Sequence, residues 1–305
     1  MKLQKWVIGL AGGIILLAGI GTVVLAADRI VEGNRTEQGP LPAEQNWQIG
    51  FTPSYSTGKF GSSTTSSFFY APLSIRRLFR DGDVTLIIPF VTAMTDGRTT
   101  LVGGRPVVVQ DNSGSNSGSG SSSCEPGEDK PSCLTGRAPG QKTTTAGLGD
   151  IILKGRYYVL EEKEYMPLIA VTGRMKVPTA SASQGLGTGE FDYGFGAEVS
   201  KMLGEKWIAF LDGGYNIIGQ PTGLTLQNQY WYDAGAGYYV TKDLLVSLYY
   251  EEYRAITPGF VNARDLFFAM NYTVSSALRF NGGVTLGLSD GAPDYAVTVG
   301  TSYRF

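Results

Sequence analysis

Residues 191–218 read FDYGFGAEVSKMLGEKWIAFLDGGYNII, and the fold follows from how this stretch alternates. Phe191, Tyr193, Phe195, Ala197 and Val199 occupy every second place, with Asp192, Gly194, Gly196, Glu198 and Ser200 between them. Successive side chains of a β-strand point to opposite faces, so this is a strand with one apolar and one polar face. Leu203-Gly204-Glu205 turns the chain, and a second strand runs on from Lys206. The same period governs Leu266, Phe268, Met270, Tyr272 and Val274, and the closing run Tyr295, Val297, Val299, Thr301, Tyr303 and Phe305. Beyond the first 27 residues no stretch carries a helical period.

Working outward, the alternation predicts twelve strands, near 47–57, 66–77, 83–94, 148–160, 165–177, 190–202, 206–218, 228–241, 243–254, 263–275, 278–289 and 294–305. Soluble strands usually run to about five or six residues, whereas these have the length of tilted strands crossing a bilayer. Their connections alternate. The long ones are 58–65, 95–147, 178–189, 219–227, 255–262 and 290–293; the short ones are 78–82, 161–164, 203–205, 241–242 and 276–277. Short periplasmic turns, longer external loops and an even strand count define an outer-membrane barrel. The expected fold is therefore all-β: a transmembrane antiparallel up-and-down β-barrel of twelve strands over 47–305, with 95–147 as a long external loop. A soluble β-sandwich is the competing fold, and strand length and the alternation of connections count against it.

One face of the strands carries almost no charge, as in the row Ile151, Leu153, Gly155, Tyr157 and Val159. The opposite face holds the charges, the apolar-out and polar-in arrangement of a membrane barrel with a polar lumen. Trp47, Trp207 and Tyr303 fall at the periplasmic ends, where an aromatic girdle belongs. Pairing strands about their turn centres sets Glu198 beside Asp212, Asp212 beside Asp233, Asp233 beside Glu251, and Glu251 beside Asp265. The expectation is an acidic row at similar height on five consecutive strands. Lys154, Arg156, Arg174 and Lys176 form a basic flank expected across the barrel. Tyr158, Trp231, Tyr239 and Tyr249, with Phe210, Tyr253 and Phe267, are the candidate lumen aromatics.

The first 27 residues stand apart. Lys2 and Lys5 precede an uncharged, mostly apolar stretch from Trp6 to Leu25, and Val24-Leu25-Ala26 supplies small residues for cleavage. This reads as a signal peptide over 1–27, with an uncleaved anchor as the alternative. Cleavage removes both lysines and takes the formal charge from −2 to −4. Residues 28–46 follow as a polar periplasmic segment or plug. Both cysteines, Cys124 and Cys133, lie in the long loop, and export makes a local disulfide their expected state. Closing so short a loop stabilises by about 2.5–3 kcal/mol in the chain-entropy treatment.

The chain of 305 residues contains 42 Gly, 17 Tyr, 14 Phe and no His. Without His there is no Ser-His or Cys-His nucleophile pair and no His-ligated metal. No cofactor or metal site is expected. With 25 Lys and Arg against 27 Asp and Glu there is no basic excess for nucleic acid.

From about Gly147 onward the chain resembles the outer-membrane transporter-like proteins associated with the meta-cleavage pathway of phenol degradation. The matching pieces are GLGD (147–150), VPT (177–179), GLGTG (185–189), Asp192 and SKMLG (200–204). The family has Gly after VPT where this chain has Ala180. The closing YRF (303–305) resembles the terminal aromatic signal read by the barrel insertion machinery through Phe305. The resemblance implies a bacterial outer-membrane barrel, surrounded by outer-membrane lipids, that passes small and often hydrophobic solutes, and it implies no catalytic residues.

The function expected is a channel or transporter of small solutes, aromatic compounds among them. A binding barrel acting through its external loops is the alternative. An outer-membrane hydrolase ranks last, because adjacent carboxylates would have to work without a His base.

Overall fold

The computed structural model describes residues 46–109 and 142–305. The signal peptide, the segment before Asn46 and the Cys124–Cys133 pair lie outside the described residues. Among the described residues sixteen strands follow one another: β1 (Trp47–Phe51), β2 (Ser54–Gly58), β3 (Ser66–Phe79), β4 (Gly82–Thr95), β5 (Thr99–Val102), β6 (Arg105–Val108), β7 (Thr143–Leu148), β8 (Ile151–Leu160), β9 (Leu168–Val177), β10 (Asp192–Leu203), β11 (Trp207–Ile217), β12 (Gln229–Thr241), β13 (Leu244–Tyr253), β14 (Ala263–Thr273), β15 (Leu278–Gly287) and β16 (Tyr295–Arg304).

They make twelve staves and one inserted hairpin. β1 and β2 form a single stave interrupted at Thr52-Pro53, because proline has no N–H to give the ladder. β7 and β8 form another, interrupted at Gly149-Asp150, where the Gly149 N–H donates to the Pro89 carbonyl at 2.8 Å. All neighbours run antiparallel, and β1 closes the wall by pairing with both β3 and β16, Gln48 opposite Arg76 and Arg304. A closed wall leaves no edge amide unpaired, which is what lipid demands.

The outer face is apolar. Phe195 and Leu211 are 60% and 58% exposed, and the same face carries exposed Tyr157, Leu248, Phe268 and Leu286. A soluble monomer does not leave so continuous an apolar belt in water; this face is turned to lipid. At the short-turn end the belt closes in aromatics. Trp207 packs on Tyr238 at 4.9 Å, Tyr303 on Phe305 at 6.2 Å, and the Arg77 guanidinium lies 5.1 Å from the Trp47 ring.

Two departures from the expected strands matter. β7 lengthens the fourth stave beyond the expected start at 148, pairing with β4 from Phe90↔Leu148 to Thr95↔Thr143. Its sequence, TTTAGL, has too little apolar contrast to show the period. Second, the span read as one loop holds the hairpin β5–β6, which turns on Gly103-Gly104, both at positive φ. A two-residue turn of this hand requires positive φ twice, which glycine adopts without steric cost. The hairpin lies inside the barrel mouth. Leu101 and Val108 are buried with Phe60, Phe68, Tyr70, Ile87 and Leu186, while Val102 is buried with Ile218, Leu224, Leu226 and Ile256. Walls on both sides therefore grip it.

Candidate functional site

The lumen is built from the polar face of the strands. Residues opposite one another include Glu198 and Asp212, Asp212 and Asp233, Asp233 and Glu251, and Glu251 and Asp265. Asp233, Glu251 and Asp265 are fully buried. The row is not level. Barrel strands tilt by roughly 35–45° and stand about 4.8 Å apart, so a row in register climbs about 3 Å per strand. Asp265 accordingly sits near the external end of β14, whereas Glu198 lies midway down β10.

The basic flank is not a wall across from this row. β9 pairs with β10 and β8 lies one strand beyond it, so the flank's members meet the row's lower end or leave it altogether. Arg156 grips Glu198 with Nε to Oε2 at 2.7 Å and Nη2 to Oε1 at 3.1 Å, and reaches Asp83 Oδ2 at 3.3 Å. Arg76 Nη2 holds the same Asp83 oxygen at 2.6 Å. Acid and base therefore alternate from mid-lumen to the first turn of β4. Arg174 instead donates to the Gly103 carbonyl at 3.4 Å, at the hairpin tip. Lys176 is buried away from the passage, with Nζ 2.9 Å from Asp192 and 3.3 Å from Asp150. Lys154 borders a cavity of about 40 Å³ together with Asp83, Arg156, Arg174, Glu198 and Trp231.

Charged residues that the sequence reading passed over complete the site. Arg105, just past the hairpin turn, lies 3.8 Å from Asp265 and over the Tyr253 ring at 3.1 Å. Its signal was present, since Gly103-Gly104 between two short β-prone runs marks a hairpin. Asp83 and Arg76 flank a short turn, where strand ends are hard to assign.

The aromatics form two groups around the acidic row. Trp231 and Tyr253 stack at 6.1 Å on its external side. Below it, Tyr249 lies between Phe210 at 5.2 Å and Phe267 at 6.1 Å, with Tyr239 in the same buried group. Tyr158 is buried on β8. Glycines make room for these rings: a Cβ at Gly214 would lie 2.8 Å from the Trp231 ring, and one at Gly235 or Gly283 would strike Tyr249 or Phe267. Much of the glycine excess therefore serves rings laid flat against the inner wall.

A family profile described as putative MetA-pathway of phenol degradation matches residues 81–305. Among solved structures, an outer membrane channel from Pseudomonas putida F1 is similar at TM-score 0.52 and 15% identity, over 88% of this chain and 100% of that one. The Pseudomonas putida toluene transporter TodX gives 0.40 and 11%, over 85% of this chain and 80% of that one. The monoaromatic hydrocarbon channel CymD gives 0.42 and 10%, over 94% and 98%. At such identities a likeness speaks to the fold, and only the first is close enough to do so. No curated protein matches. The barrel, its lipid-facing belt and its fold place the chain in the bacterial outer membrane, and the profile, spanning most of the sequence, shows that it belongs to the phenol-degradation MetA-pathway family.

Proposed function

We propose that this barrel is a channel for small solutes in which the diagonal of carboxylates on β10–β14 sets a preference for cations, and that it works without catalysis. The observation that carries this reading is the register itself, which lines one wall of a closed barrel with five carboxylates. Rows of side-chain charge set ion preference in a pore, and crowded carboxylates stay ionised only where cations, arginine or water compensate them. The aromatic group running beneath the row supports aromatic solutes, as does membership of a family tied to phenol degradation. Phe305 closes the seam, exchanging backbone hydrogen bonds with Trp47 at 2.8 and 2.9 Å, which suits a residue read during insertion.

The test is the reversal potential of the purified barrel in a planar bilayer under a KCl gradient. Wild type should favour K⁺, and Asp212→Asn with Asp233→Asn should reduce that preference. A barrel with neither conductance nor solute flux would refute the reading.

A further inference from the structure

Four of the pieces that carry the family resemblance, GLGD, VPT, GLGTG and Asp192, meet around one ammonium group. Lys176 is wholly buried, and besides Asp192 and Asp150 its Nζ donates to Thr188 Oγ1 at 2.9 Å. Asp150 ends GLGD, Lys176 directly precedes VPT, and Thr188 lies in GLGTG. Each carboxylate is itself anchored. Asp150 Oδ1 accepts from the Ala180 N–H at 3.1 Å, and Asp192 Oδ1 accepts from the Gly219 N–H at 2.9 Å. The Thr179 hydroxyl donates to the Gly149 carbonyl at 2.9 Å and accepts from the Ile151 N–H at 3.0 Å. Gly187 cannot carry a side chain, since a Cβ there would lie 2.8 Å from Asp150 Oδ2 and from the Ala180 Cβ. A single cation thus ties the loop 178–191 to the interrupted fourth stave and to the loop after β11.

That loop is the floor on which the inserted hairpin rests. Thr100 of β5 donates its hydroxyl to the Gly187 carbonyl at 3.1 Å, and Leu186 is buried with Leu101 and Val108. On its other side the hairpin is held from the opposite wall, by the Thr257 hydroxyl on the Val108 carbonyl and by Arg105 beside Asp265.

We propose that Lys176 is a positioning residue for permeation: it latches the loop 178–191, and through Thr100 and Gly187 that loop seats the hairpin β5–β6 in the external mouth. Removing the cation leaves two buried carboxylates facing one another, a state relieved when one of them takes up a proton or reaches water, and either way the hold on the loop is lost. The loop then swings out, the hairpin loses its floor and leans on the Thr257 side, and the passage along β8 and β9 widens.

The inference rests on the channel reading, so two readouts are needed. In planar bilayers, Lys176→Met should raise single-channel conductance several-fold. Thr100→Val, which leaves the latch intact, should raise it in the same direction by less. Lys176→Met combined with Asp150→Asn and Asp192→Asn removes the repulsion and should return conductance toward wild type, which a mere packing defect would not allow. Hydrogen exchange of residues 99–108 reads hairpin release whether or not the barrel conducts; in Lys176→Met it should accelerate by about tenfold or more while β10–β14 exchange as in wild type. Unchanged exchange at 99–108 overturns the latch. An open Lys176→Met beside a silent Thr100→Val overturns its route through the hairpin. A wild type with neither conductance nor solute flux, whose variant's exchange responds as described, overturns the channel reading and leaves the latch standing.

Discussion

The wall made of β9 to β16 and the wall made of β1 to β8 differ in regularity, and the difference teaches what each contributes. From β9 onward the pairing is interrupted only at a shift near Tyr239, and no proline enters a strand. On the other side Pro53 splits one stave, Gly149-Asp150 splits another, and Pro72 faces Pro89 across β3 and β4. The regular wall sets like charges opposite one another, carboxylate against carboxylate, with aromatics filling the levels above and below. The broken wall sets opposite charges against one another: Asp83 with Arg76 and Arg156, and Arg156 in turn with Glu198 of the other wall. Regular pairing builds a row of like charge across neighbouring strands. Irregular pairing stores shape, bending the staves around a hairpin and locking it with ion pairs.

The sharpest break in this contrast is Arg156→Met. It would strand Glu198, which this arginine holds through two hydrogen bonds, and leave Asp83 with Arg76 alone. Removing one partner of a buried pair costs about 3–5 kcal/mol, so the temperature at which the folded barrel converts to the unfolded form on heat-modifiability gels should fall steeply. Next come opposite-signed effects from the same chemical change. Asp83→Asn weakens two charge-assisted bonds and should cost about 1–3 kcal/mol. Asp233→Asn, between Asp212 and Glu251, relieves repulsion and should leave unfolding unchanged or raise its midpoint. Two variants that destabilise equally would erase the distinction between the walls. Gly235→Val tests the regular wall by volume instead. Its side chain would drive into the Tyr249 ring, and overpacking of this kind costs about 1–3 kcal/mol, read in the same assay.

The same contrast explains what the sequence disclosed. Along β10 to β14 long strands with a nearly unbroken alternation let turn centres define neighbours even across the longer loops, so the row from Glu198 to Asp265 was legible in the sequence. The partners on the broken side were not. Arg156 and Glu198 are separated by the whole of β9 and meet on a diagonal, which depends on lumen width and side-chain reach rather than on register. That is why Lys154, Arg156, Arg174 and Lys176 looked like one flank, whereas they divide among a cavity, an ion-pair chain, a hairpin tip and a buried latch. β5–β6 was hidden because each strand is four residues long beside a Ser/Gly tract. The pair Gly103-Gly104 was its only strong local sign. Chemistry carried by period was legible; chemistry carried by an inserted element or by diagonal reach was not.

The smallest expected effect decides whether the regular wall reads anything besides charge. Tyr249 lies between Phe210 and Phe267, directly below Glu251, so a solute drawn by the carboxylates meets the ring next. If the rings only fill space, replacing one by an aliphatic group of similar bulk leaves the discrimination among cations unaltered. If they form a path, an aromatic cation loses one ring-to-ring contact in transit and an aliphatic cation of equal charge loses none. Such contacts contribute about 0.5–1.5 kcal/mol each, and only part of that is available to a solute that must also leave. Tyr249→Leu should therefore lower the permeability of benzylammonium relative to butylammonium, taken from bi-ionic reversal potentials, by about two- to fivefold. The K⁺ preference itself should hold, because no charge has changed. A ratio that stays at the wild-type value would reduce the aromatics to packing and leave the carboxylate diagonal as the sole selective feature of that wall.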